Sequence, residues 1–80
     1  MITACTLKKA GFVAGEWGPF SDRDRYRTWT LEINDECAIE VDEEFIDGET
    51  NFYPSISSDG YVPLKIEDVT KLLTLKDLLK

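Results

Sequence analysis

The stretch Thr28-Trp29-Thr30-Leu31-Glu32-Ile33-Asn34-Asp35-Glu36-Cys37-Ala38-Ile39-Glu40-Val41-Asp42 decides the fold. Trp29, Leu31 and Ile33 alternate with Thr28, Thr30 and Glu32, and Cys37, Ile39 and Val41 alternate with Ala38, Glu40 and Asp42. A period of two marks half-buried strands. A three-residue loop, Asn34-Asp35-Glu36, sets Ile33 opposite Cys37, Leu31 opposite Ile39 and Trp29 opposite Val41. All apolar side chains then share one face. A two-residue loop would set Ile33 against the outward-facing Glu36, so parity favours three.

Downstream, Asp47-Gly48 signals a type I′ hairpin turn that returns the chain into Phe52, Pro54 and Ile56. Glu43 falls on the inward parity, which predicts a bulge near Glu43-Glu44 or an early end to regular pairing. Pro54 has no N–H to donate and argues for an edge position or a local irregularity. Ser58-Asp59-Gly60 fits a three-residue loop with Gly60 left-handed, placing Ile56 opposite Val62 and Pro54 opposite Leu64. Upstream, residues 13–25 are broken by Gly15, Gly18 and Pro19 and read as irregular, with Trp17 read as a core filler in preference to an exposed anchor.

Both ends read as helices. Thr3 is placed to cap a short helix that runs to Gly11, the left-handed residue after it, with Phe12 folding back on the last turn. From Ile66 to Lys80, apolar residues Ile66, Val69, Leu72, Leu73 and Leu79 share one helical face, Glu67 and Asp68 open the helix, and Lys76 and Lys80 close it. Thr74-x-x-Asp77 could start a second short helix with a kink. The expected fold is one α+β domain over residues 1–80: a short N-terminal helix, an antiparallel meander of about four strands, and a C-terminal amphipathic helix packed on one sheet face.

The chain has 80 residues, sixteen acids against nine Lys and Arg, and a net charge of −7. Ten of the acids lie between Thr28 and Leu64, where there is no Lys, Arg or His. Such segregation makes a one-signed field that selects partners. It disfavours direct contact with nucleic acid or an anionic membrane. No apolar run approaches the roughly 20 residues of a membrane span, and Met1 to Cys5 lacks the pattern of a secretion signal. A cytoplasmic protein is the expectation, with Cys5 and Cys37 as free, buried thiols.

The chemistry is sparse. The chain has no histidine, so no imidazole base serves a nucleophilic triad, and two cysteines cannot complete a thiol–imidazole zinc site. Glu40 and Asp42 would need a deep cleft to act on a glycoside. The acids from Asp42 to Glu49 miss the calcium-loop spacing. Arg23, Arg25 and Arg27 beside Tyr26 and Trp29 read as structural, because Asp22 and Asp24 interrupt them. Leu75-Lys76-Asp77-Leu78-Leu79 reads as core leucines. Neither enzymatic activity nor a cofactor is expected.

The expected function is a non-enzymatic interaction protein that binds, and inhibits or regulates, a basic protein surface, such as that of a nucleic-acid-binding complex. Glu32, Glu40, Asp42, Glu43, Glu44, Asp47 and Glu49 supply the electrostatics, and Tyr53 or Tyr61 an aromatic anchor. In size, charge and lack of catalytic chemistry the chain is similar in type to small acidic inhibitors of phages and mobile elements. These include anti-restriction and anti-CRISPR proteins that mimic DNA; no family motif carries the likeness. The alternative is a structural or accessory protein, homodimeric through a sheet edge or the C-terminal helix, whose acidity serves only solubility.

Overall fold

The computed structural model describes residues 1–19, 24–58 and 60–79. Helix α1 (Ala4–Lys9) is followed by strands β1 (Val13–Ala14), β2 (Gly18–Pro19), β3 (Arg25–Asn34), β4 (Cys37–Ile46), β5 (Glu49–Ser57) and β6 (Tyr61–Pro63), then helix α2 (Val69–Leu79). All pairings are antiparallel and β3 to β6 form a meander.

The β3–β4 register is the one parity requires: Trp29 faces Val41 and Leu31 faces Ile39. The loop differs. Asn34 pairs with Cys37 across a two-residue turn at Asp35-Glu36, and the register shifts between Glu32 and Asn34. One extra residue, Ile33, absorbs the parity that a three-residue loop would have absorbed.

At the next turn both Asp47 (φ 53°) and Gly48 (φ 79°) are left-handed, as a type I′ turn demands. β4 and β5 then pair without interruption from Ile46–Glu49 to Ala38–Ser57. The bulge expected at Glu43-Glu44 is absent, because the inward Glu43 has buried partners of its own. Pro54 lies where β6 has ended: Ile56 faces Val62, and Leu64 N–H donates to Pro54 C=O at 2.9 Å. Asp59 lies outside the described residues.

The irregular stretch before β3 contains two strand fragments. Val13 and Ala14 pair with Thr30 and Trp29, and Gly18 and Pro19 pair with Tyr26 and Arg25. The two registers differ by one residue, so this edge bends between them. Trp17 lies at the bend, 38% exposed and outside the core it was expected to fill.

Both helices lie on the apolar face. Thr3 caps α1: its Oγ1 accepts from Thr6 N–H at 3.2 Å, and Thr6 Oγ1 accepts from Thr3 N–H at 2.9 Å. Gly11, at φ 99°, closes α1, and Phe12 N–H reaches back to Leu7 C=O at 3.0 Å, the two-bond C-terminal motif that Gly permits. α2 starts at Val69, later than Ile66, because Asp68 is its cap: Oδ1 accepts from Thr70 N–H at 2.8 Å. That bond, first among several influences, holds the Asp68 carboxyl below its ordinary value of 3.8. α2 continues through Thr74, whose hydroxyl donates back to Thr70 C=O, so no second helix begins there. The core joins Ile2, Leu7 and Phe12 to Trp29, Leu31, Ile39 and Val41, with Val69 and Leu72 from α2. Leu78 and Leu79 are exposed and belong to no core. Both cysteines are free thiols, but Cys5 is exposed, against the burial expected of it, and Cys37 is only half-buried.

Candidate interaction face

Alternation gives the sheet two chemically opposite faces. On the inner face, beyond the helices, Arg27 lies opposite Glu43 and Arg25 opposite Phe45. Arg27 Nε donates to Glu43 Oε1 at 2.8 Å, and Trp29 Nε1 donates to the same oxygen at 2.7 Å. Glu43 is only 6% exposed. Its burial is tolerable because two donors meet its charge inside. The guanidinium of Arg27 lies over Trp29 and Trp17, 4.7 and 4.3 Å from the ring centroids, and that of Arg25 over Trp17 and Phe45, at 4.9 and 5.3 Å. Trp29, Arg27, Trp17, Arg25 and Phe45 thus form an alternating ladder of rings and cations. It starts from Trp29 in the core and ties the bent edge, through Trp17, to Arg25 and Arg27 of β3. Arg25 and Arg27 are accordingly structural, as expected; Arg23 lies outside the described residues.

The outer face carries Tyr26, Thr28, Thr30 and Glu32 from β3, Glu40, Asp42 and Glu44 from β4, and Glu49, Asn51, Tyr53 and Ser55 from β5. No outward position of these three strands holds Lys or Arg. Glu40, Asp42 and Glu44 stand at alternate positions along β4, roughly 7 Å apart, and are half-buried by their neighbours. Thr28 Oγ1 donates to Asp42 Oδ1 at 2.8 Å, fixing that carboxylate. Among the described residues, no three His, Cys, Asp or Glu side chains come together as a metal site.

Of the residues expected to meet a partner, Glu32, Glu40, Asp42, Glu44, Glu49 and Tyr53 share the outer face, with Glu32 at the end of the sheet opposite Glu49 and the Asp47 turn. Glu43 is corrected: its carboxylate points inward and is occupied by Arg27 and Trp29. The side chain of Tyr61 lies outside the described residues. Tyr26 was not among the expected anchors, yet it is 41% exposed, faces Glu44 across the strands, and lies against Gly18. The β3 parity that turns Trp29 inward also turns Tyr26 outward, so the signal was present. Comparison with protein-family models, curated proteins and solved structures finds no match to this chain.

Proposed function

We propose that this chain is a non-enzymatic interaction protein whose outer sheet face binds a basic surface on a protein partner, such as the Lys/Arg-lined groove of a nucleic-acid-binding complex. An inhibitor that occupies such a groove in place of DNA or RNA is the form this reading takes. One observation carries it: the outer face of β3, β4 and β5 has acids and no bases, while the same strands turn Arg25 and Arg27 inward. A face of one sign carries a field that attracts a surface of the opposite sign. Here one sign is kept and the other is consumed by the ladder. Tyr53 and Tyr26, both exposed, supply aromatic contact area beside the acids.

The test is capture of a binding protein from a host lysate, with the wild-type chain and with Glu40→Gln, Asp42→Asn and Glu44→Gln combined. A partner recovered by the wild type, lost by the variant, and released as salt rises toward about 0.5 M supports the reading. Equal recovery by both proteins, or a salt-insensitive homodimer with no partner, overturns it.

A further inference from the structure

β5 runs from Glu49 to Ser57, but β6 pairs only with Ser55 to Ser57. The bond from Leu64 N–H to Pro54 C=O shows that the Pro54 backbone points away from β4. The β4–β5 register is unbroken, so alternation turns Thr50 and Phe52 the same way. Their N–H and C=O groups turn to the β5 edge, where no hydrogen bond from another described residue reaches them, although Met1 to Thr3 and Ile66 to Asp68 flank that edge across a groove. Two adjoining grooves of about 740 and 700 Å³ border this edge, with Phe52 and Ile66 lining both. On the sheet side the first groove is lined by Asp42, Glu44 and Tyr53; Lys65 and Lys71 border it from the chain after β6.

We infer that an extended, lysine- or arginine-bearing segment of the partner adds to the sheet as a strand along Glu49 to Tyr53. This rests on the charge-directed reading above and names how the partner is held. An added strand lies roughly 4.8 Å from β5 and about twice that from β4. Every second side chain then emerges on the outer face, where a lysine or arginine stem can lie across Tyr53 and bring its charge to Asp42 and Glu44. Backbone bonds supply affinity and the alternate side chains supply selection. A second copy of this chain is the poorer occupant: each carries −7, and its own β5 has no Lys or Arg to bring to Asp42 and Glu44.

Three capped hexapeptides test this against the wild-type protein: one of alternating lysine and valine, one N-methylated on the lysines, and one N-methylated on the valines. In a strand only every second N–H faces its neighbour. The expected result is binding by the parent peptide, loss of at least about tenfold on one methylation pattern and little change on the other. Hydrogen exchange at the Thr50 and Phe52 amides should slow on binding. Equal binding by all three peptides without protection of those amides overturns strand addition while leaving charge-directed binding intact. No binding by any of them overturns strand addition as well, and the lysate experiment then judges the charge-directed reading alone.

Discussion

The indole N–H of Trp29 and the carboxylate of Glu43 meet at 2.7 Å inside the sheet's inner face, 14 residues apart in the chain. Arg27 donates to the same oxygen, so one carboxylate joins a core aromatic to the ring-and-cation ladder. No buried side-chain polar atom among the described residues lacks a partner. Glu43 therefore behaves as a core residue despite its charge.

Removing that carboxylate should cost stability. Glu43→Ala leaves the Trp29 and Arg27 donors unpaired in a cavity, with an expected loss of about 2–4 kcal/mol. Glu43→Gln keeps an acceptor and should lose about 1–2 kcal/mol. Urea midpoints read both, with an unchanged m-value showing that the fold is the same. Partner capture by folded Glu43→Gln should match the wild type, whereas the triple change at Glu40, Asp42 and Glu44 should abolish capture with little loss of stability.

The ladder makes its own prediction. Trp17→Ala removes the ring between Arg25 and Arg27 and should destabilise by about 1–2 kcal/mol, the sum of two partly shielded cation–π contacts. Arg27→Lys keeps the charge but not the planar stack, and should also lower the denaturation midpoint. A Trp17→Phe protein that loses as much as Trp17→Ala would show that the ring face contributes nothing.

Much of this was legible in the alternation around Trp29 and Val41. Extended by two residues, that register already sets Arg27 against Glu43. What hid the pair was the expectation that an inward glutamate must break the sheet; its remedy lay 14 and 16 residues away. The loop after β3 was harder, because a bulge at Ile33 and a longer loop satisfy the same parity. β1 and β2 escaped because two-residue fragments broken by glycine and proline show no period. The helix caps were readable, since Gly11 and Asp68 act locally. Of the interaction face, the β4 acids followed from parity, whereas the free edge of β5 depends on where β6 stops.

Two glycines test the backbone. Gly48 has open space around an added Cβ, and Gly11 meets only a Leu31 methyl at 3.8 Å. Gly48→Ala and Gly11→Ala therefore isolate the cost of a left-handed φ, about 1–2 kcal/mol each. Chemical denaturation checks this; a neutral result at Gly48 would mean that the Asp47-Gly48 turn is not type I′.

Asp68 gives a pH dependence. Its folded value is held below 3.8, so the protonated form suits the unfolded chain better. The cap's contribution is complete above the ordinary carboxylate range and is lost as pH falls through the lowered folded value. In an NMR titration the Asp68 carboxyl should reach its midpoint below 3.8. Asp68→Asn, an equally good cap, should lessen the acid sensitivity of the α2 amides, while Asp68→Ala should fray the first turn at every pH.

The ladder also determines what an optical experiment can see. Trp17 and Trp29, the two tryptophans of the chain, both contact Arg27. Their emission is therefore a built-in reporter of the inner face. It should change when the sheet comes apart and stay silent when a ligand settles on the opposite side. A partner titration that leaves tryptophan emission flat while Tyr26 and Tyr53 resonances move would identify the occupied face without a labelled protein.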